Sequence, residues 1–234
     1  MRAFGHIAAS RRASARLWHS NLLRNPRLAD AMNLRSQIVV CTLVTLLIAG
    51  CGKGPQVAPL GNNDVVLAFG DSLTFGTGAA PTESYPAQLQ SLIGRKVVNA
   101  GVPGEVSADG LQRLPDVLEE VKPKLLILCH GGNDLLQKLN EASAAANVRA
   151  MIQLAKSKGI GVVLIATPKP GLALTPPNFY AEIAKEFSLP FNDDALKAIL
   201  RDNGLKSDLV HPNAKGYAQI AETVAKLLKK SGAI

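Results

Sequence analysis

Two separated polar segments contain the residue types that catalyse acyl transfer. Ser72 stands within Gly-Asp-Ser-Leu, directly after an apolar run, and Asp208 lies three residues before His211. A serine hydroxyl needs a neighbouring base to act as a nucleophile at neutral pH. An aspartate at this offset can fold back on the imidazole, fix its tautomer and stabilise its cationic form. The spacing therefore favours attack by Ser72 on a carbonyl carbon, assisted by His211.

This chemistry also needs hydrogen-bond donors for the oxyanion of the tetrahedral intermediate. Two segments that contain glycine and asparagine could supply them, Asn99-Ala100-Gly101 and Gly131-Gly132-Asn133-Asp134. Each follows an apolar run, as Ser72 does. The sequence therefore predicts three polar segments at the ends of three neighbouring strands.

Short apolar runs with little alternation predict buried parallel strands, and they lie at 65–69, 97–98, 125–129 and 161–165. Helical patterns separate them, at 86–93, 111–121 and 148–155. A last amphipathic helix begins after Asn213, a favourable N-cap. Alternating strands and helices indicate an α/β fold with a parallel sheet, so the serine and both donor segments leave the same sheet edge. The long irregular loop at 168–177 is expected there too.

These segments resemble the SGNH (GDSL-type) serine hydrolases over roughly residues 64–230. Ser72, Gly101, Asn133 and His211 match, in order, the four residues that name the superfamily. Ala-Phe-Gly-Asp-Ser-Leu-Thr, Gly-Gly-Asn-Asp and Asp-Leu-Val-His-Pro-Asn are most similar to the bacterial thioesterase/protease/lysophospholipase and arylesterase group.

The resemblance implies a flavodoxin-like three-layer α/β/α fold with a parallel sheet of about five strands. It implies Ser72 as the nucleophile, His211 as the general base and Asp208 as its orienting partner. The main-chain amides of Ser72 and Gly101 and the side-chain amide of Asn133 would then form the oxyanion hole.

Other polar residues of the body are expected to be structural. His130 adjoins the oxyanion segment but has no carboxylate at a short offset before it, and Asp71 is expected to cap the turn or the following helix. Cys129 ends an apolar run and is expected in the core. No cluster has the spacing of zinc ligands and no phosphate-binding loop is present, so we expect no metal and no cofactor.

The net charge of +8 is unevenly distributed. Residues 1–50 hold seven arginines and one acid, whereas the other 184 residues hold 19 basic and 17 acidic residues. A nearly neutral body lacks the basic stripe that follows a phosphate backbone, so we expect no nucleic-acid partner.

The run at 38–50 is shorter than the roughly 20 apolar residues of a membrane-spanning helix and is typical of a secretory signal. It ends Leu-Ile-Ala-Gly-Cys51, which resembles the bacterial lipobox. We therefore expect lipidation of Cys51, a membrane anchor and a location in the cell envelope facing the periplasm. Gly52, in place of Asp, favours the outer membrane. A signal peptide cut elsewhere, with secretion to the periplasm, or an uncleaved anchor are the alternatives.

Residues 1–31 fit no part of a signal peptide, whereas Met32 would be a normal start, so we expect translation to begin at Met32. The alternative is that residues 1–31 are a translated, arginine-rich extension. The expected organisation is an extension and signal at 1–50, a tether at 51–63 and one hydrolase domain at 64–234.

The expected activity is hydrolysis of carboxylic esters or thioesters, such as aryl esters or lysophospholipids, by a monomer. Two alternatives stay open at this point: deacylation of O-acylated cell-wall polysaccharide, and binding of acyl chains without turnover by an envelope lipoprotein.

Overall fold

The computed structural model describes residues 54–234, and Cys51 and the predicted signal lie outside them. The described chain forms a five-stranded parallel sheet in the order β2-β1-β3-β4-β5. Its strands are β1 Val65–Gly70, β2 Lys96–Gly101, β3 Leu125–Cys129, β4 Gly161–Ile165 and β5 Phe191–Asn192. The strand order reverses between β1 and β3, and such a reversal opens a crevice at the carboxyl ends of the strands.

Eight α-helices accompany these strands in the described chain. They are α1 Ser72–Phe75, α2 Tyr85–Ile93, α3 Ser107–Val121, α4 Gly132–Leu136, α5 Glu141–Ser157, α6 Asn178–Glu186, α7 Ala195–Arg201 and α8 Ala214–Lys230. Asn213 caps α8, since its side chain accepts the N–H of Gly216 at 3.1 Å. The predicted strands and longer helices are confirmed, as is the irregular loop before α6.

Alternate residues of the central strands point to opposite faces of the sheet, and each face is covered by three helices. Val66, Ala68 and Ile127 pack beneath α2, α7 and α8. Leu67 and Leu128 pack beneath α3, α5 and α6. Because both faces are buried, the strands need apolar residues at every position. The arrangement is the predicted three-layer α/β/α fold.

Part of the segment predicted as a tether packs on the body. The N–H of Val57 donates to the carbonyl oxygen of Ser231 at 3.1 Å, and the N–H of Leu60 donates to that of Ala233 at 2.8 Å. The Leu60 side chain is buried in the core beside α8. Among residues 54–234, no helix has the length and apolar character needed to cross a membrane.

Candidate active site

The end of β1 places Ser72 at the crevice. Asp71 is buried and caps α1, because its Oδ1 accepts the N–H of Leu73 at 3.0 Å. Burial is the main cause that raises the pKa of Asp71 above its ordinary value. Ser72 therefore begins a one-turn helix held by its neighbour, and Asp71 has the capping role predicted for it.

The loop before α8 brings an aspartate and a histidine to this serine. His211 Nε2 lies 3.0 Å from Ser72 Oγ, and His211 Nδ1 lies 2.8 Å from Asp208 Oδ2. An ionised carboxylate only accepts hydrogen bonds, so Nδ1 carries the hydrogen and Nε2 is free to accept the serine proton. The predicted trio is thus assembled although 139 residues separate Ser72 from His211.

Asp208 is held by the backbone of its own turn. Its Oδ1 accepts the N–H groups of Val210 and His211, each at 2.8 Å. Partial burial opposes ionisation, but these hydrogen bonds and the contact with the His211 ring outweigh it and lower the pKa of Asp208. The carboxylate is therefore a fixed, charged acceptor for the imidazole.

Asn133 lies on α4, which follows β3 across the crevice from Ser72. Its Nδ2 donates one hydrogen bond to the carbonyl oxygen of Glu105 at 2.9 Å, which leaves its second N–H. Asn133 and Ser72 line the same cavity. The side-chain amide therefore lies at the same edge of the sheet as Ser72, as predicted.

Gly101 lies at the end of β2, as predicted, but its N–H is not free for the oxyanion role that the resemblance implied. Its N–H donates to Asn99 Oδ1 at 3.0 Å, so this group is already occupied. A side chain at Gly101 would collide with the main chain of Thr74 and Phe75, so the glycine lets β2 approach α1 closely.

Gly104 is a position that the sequence interpretation missed. It has φ +81° and lies in the loop between Val102, whose N–H bonds to the Gly70 carbonyl oxygen, and Glu105, which accepts from Asn133. Within residues 54–234, the main-chain N–H groups of Ser72 and Gly104 have no hydrogen-bond acceptor. A second glycine three residues after Gly101 was the available signal in the sequence.

An apolar cavity of about 670 Å³ opens beside the serine. Its walls include Leu136, Leu172, Leu174, Leu200 and Val210, from α4, the loop before α6, α7 and the His211 loop. Arg201 ties this loop in place, since its Nη2 donates to the carbonyl oxygen of Ala173 at 2.7 Å. The cavity can take an apolar group attached to a carbonyl carbon that lies near Ser72.

His130, the other histidine of the body, is fully buried away from this cavity. Its Nε2 contacts a carboxylate oxygen of Glu105 at 3.0 Å, and its Nδ1 accepts the N–H of Gly131 at 2.9 Å. It does not contact Ser72, so the structural role predicted for it is consistent with its surroundings. Among the described residues, no group of three histidine, cysteine, aspartate or glutamate side chains is arranged as metal ligands would be.

The chain matches known proteins over most of its length. The model of the GDSL-like Lipase/Acylhydrolase family matches residues 68–219. Esterase TesA of Pseudomonas aeruginosa is 29% identical over 203 residues, which are 79% of this chain and 97% of that protein. Thioesterase 1/protease 1/lysophospholipase L1 of Escherichia coli K12 is 29% identical over 174 residues, 71% of this chain and 84% of the relative. A crystal structure of TesA superposes with a TM-score of 0.64 at 28% identity, over 71% of this chain and 98% of that one.

Proposed function

The chain belongs to the GDSL-like lipase/acylhydrolase family and is a serine hydrolase of carboxylic esters, and we propose that it acts through an acyl-enzyme formed on Ser72. The observation that carries this proposal is the hydrogen-bonded series Asp208–His211–Ser72 beside an apolar cavity. In this series Ser72 is the nucleophile, His211 is the general base, and Asp208 is the acceptor that orients the imidazole.

Ser72 Oγ attacks the carbonyl carbon while His211 Nε2 accepts its proton. The imidazole becomes a cation, which the fixed Asp208 carboxylate stabilises at Nδ1. The C–O or C–S bond of the tetrahedral intermediate then breaks, and His211 returns the proton to the leaving alkoxide or thiolate. Water, deprotonated by His211, repeats the sequence on the acyl-enzyme and releases the acid.

Three donors stabilise the oxyanion in this mechanism. Ser72 N–H and the free N–H of Asn133 are two of them. For the third we place Gly104 where the sequence suggested Gly101, because the Gly101 N–H is occupied by Asn99 and that of Gly104 is not. Loss of one such donor typically lowers kcat about 10²–10³-fold.

The cavity walls favour a substrate with a lipophilic acyl group. Leucines surround the space beside Ser72, and an apolar wall binds an alkyl chain better than it binds a sugar. One relative is named in part as a lysophospholipase, and lysophospholipids carry such an acyl group. The substrate is therefore an ester or thioester with a medium to long acyl chain, such as an aryl ester or a lysophospholipid.

The test is hydrolysis of p-nitrophenyl esters with two to sixteen acyl carbons by residues 52–234. We expect turnover with an optimum above four carbons, and a loss of about 10⁵-fold in Ser72→Ala. Ser91→Ala, which removes an exposed serine on α2, is the matched control and should keep full activity. Hydrolysis by Ser72→Ala at the wild-type rate would contradict the mechanism, and an acetate optimum would favour deacetylation of polysaccharide.

The same proposal includes a lipid anchor at Cys51. Translation from Met32, cleavage before Cys51 and lipidation would attach a monomeric enzyme to the outer membrane, facing the periplasm. Radioactive palmitate should label the wild-type precursor and Cys41→Ser, but not Cys51→Ser, and the label should fractionate with the outer membrane. Labelling of Cys51→Ser equal to that of wild type would contradict the lipid anchor. The oligomeric state is tested separately by analytical ultracentrifugation of residues 52–234, where the mass of a dimer would contradict the monomer.

A further inference from the structure

A buried ionic cluster lies beside the site without contacting Ser72 or His211. Glu105 binds Arg113 through both carboxylate oxygens, to Nε and Nη2 at 2.7 Å each. His130 Nε2 contacts the same carboxylate at 3.0 Å. Since Gly131 N–H donates to Nδ1 of His130, the ring hydrogen is on Nε2 and points at Glu105. The carboxylate therefore receives three donors, although its side chain is only 6% exposed.

Burying a charged group is unfavourable unless its partners are well arranged. Here the arrangement is extended by Phe69, whose ring lies 4.1 Å beneath the Arg113 guanidinium and 5.9 Å from the His130 ring. Arg113 also donates to the carbonyl oxygen of Ala100 at 3.1 Å, at the end of β2. The cluster is thus fixed to both β1 and β2, and it holds Glu105 rigidly.

Glu105 is also the residue that holds Asn133. Its main-chain carbonyl oxygen accepts Asn133 Nδ2 at 2.9 Å, so one residue joins the ionic cluster to the oxyanion donor. The neighbouring residue Asp134 strengthens this junction, since its carboxylate accepts the N–H and the Oγ–H of Ser107 at 2.8 and 2.6 Å. The loop after β2 and the start of α4 are therefore clamped together.

We propose that Glu105, fixed by Arg113 and His130, is a positioning residue that aims the Asn133 amide at the oxyanion. The inference rests on the proposed function, since it needs Asn133 as an oxyanion donor. An amide that can rotate loses alignment with an oxyanion, and a donor outside about 2.7–3.1 Å of that oxygen contributes little. The cluster acts on the reaction only through Asn133 and touches no reacting atom.

The test is a double-mutant cycle between Glu105→Gln and Asn133→Ala, measured with p-nitrophenyl butyrate. Glu105→Gln keeps the shape of the side chain but loses the ionic bonds, and we expect kcat to fall about 10–100-fold with KM within twofold. In the Asn133→Ala background the same substitution should change kcat less than about threefold, because its target is already absent.

Two further variants complete the experiment. Arg113→Lys keeps the positive charge without the two-pronged contact, and should lower kcat about 5–10-fold, so it replaces Glu105→Gln in the cycle if that variant does not fold. Glu186→Gln removes the Arg–Glu pair between Arg149 and Glu186, on α5 and α6, and should leave kcat unchanged.

Two outcomes would overturn the inference. One is a kcat equal to that of wild type in folded Glu105→Gln and Arg113→Lys. The other is a fold-loss in kcat from Glu105→Gln that is as large in the Asn133→Ala background as in the wild-type background. Both are distinct from failure of the proposed function, which activity of Ser72→Ala would reveal.

Discussion

Asp208 influences the reaction through the imidazole that it holds, since it contacts His211 and not Ser72. Replacement by asparagine keeps an acceptor for the turn but can present an amide N–H to Nδ1. The ring would then keep its hydrogen on Nε2, the atom that must accept the serine proton.

We therefore expect Asp208→Asn to lower kcat/KM by on the order of 10³, less than Ser72→Ala or His211→Ala, which should each lose about 10⁵. Steady-state hydrolysis of p-nitrophenyl butyrate measures this, with the exposed Asp193→Asn as control. Equal activity of Asp208→Asn and wild type would remove the aspartate from the mechanism.

The Glu105 carboxylate links the buried cluster to acid stability. Burial opposes its ionisation, but hydrogen bonds from Arg113 and His130 and the charge of Arg113 outweigh burial and lower the pKa of Glu105 to about 2. A carboxyl whose pKa is lowered by folding stabilises the folded state above its unfolded pKa, and this stabilisation disappears as pH falls towards the folded pKa.

Wild type should therefore exceed Glu105→Gln in free energy of unfolding by on the order of 2 kcal/mol at pH 6–7. This difference should shrink between about pH 4.5 and pH 2, the interval between the two pKa values. Urea unfolding at a series of pH values measures it. A difference that is independent of pH over that interval would contradict the ionic account of the cluster.

The residues of the site differ in how far sequence could predict them. Ser72, Asp208 and His211 were predicted because each lies in a short motif whose chemistry is evident locally. Gly101 was placed by motif order, but whether an N–H is free depends on its acceptor, here the side chain of Asn99. The contact between Glu105 and His130 spans 25 residues and leaves no local pattern.

The loop between β4 and α6 is the element that shapes the cavity. Lys169 pairs with Glu141 of α5 at 2.6 Å and Arg201 of α7 holds the carbonyl of Ala173, so the loop is attached at both sides. Leu172 lines the cavity yet is fully exposed, which makes it available to an acyl chain.

Leu172→Ser should therefore lower kcat/KM for p-nitrophenyl octanoate about tenfold and leave the acetate within twofold, because only the long chain reaches this wall. The control is Leu92→Ser, which makes the same leucine-to-serine change at a half-exposed position of α2 outside the cavity. An equal loss of kcat/KM for the octanoate and the acetate would contradict this role, because it would show that Leu172→Ser disturbs the catalytic residues and not a wall that binds the acyl chain.

Element length only partly decides which parts of the fold were predictable. The four longer strands were predicted from runs of apolar residues, and helices α2, α3, α5 and α8 from helical patterns between and after those runs. Helices α6 and α7 were not predicted, although α6 is as long as α2. The two-residue β5 and the short helices α1 and α4 were not, since they are too short to show a period. Their positions follow from pairing with β4 and from the turns after β1 and β3.

At the scale of the whole molecule, the two ends of the described chain pack against each other. Leu60 is buried beside α8, and the main chain at Val57 and Leu60 bonds to the residues after that helix. The composition of residues 51–63 indicates a tether, because the segment is rich in glycine and proline. Composition does not show that a single leucine of such a segment is buried in the core.

Leu60→Ala in residues 52–234 should lower the free energy of unfolding by about 2–3 kcal/mol with no change in kcat, since the side chain lies in the core and not in the site. Thermal and urea unfolding measure the change, and Ala58→Ser at an exposed neighbour is the control. No loss of stability would mean that the segment contributes nothing to the body.

The most direct test of the account is covalent capture of the nucleophile. A p-nitrophenyl alkylphosphonate carries a tetrahedral phosphorus that a serine activated by histidine attacks, with release of p-nitrophenol. Wild type should release one equivalent and gain one adduct, mapped by mass spectrometry to Ser72, while Ser72→Ala gains none and His211→Ala reacts far more slowly. An adduct on another residue, or none in folded protein that still hydrolyses esters, would contradict an acyl-enzyme on Ser72.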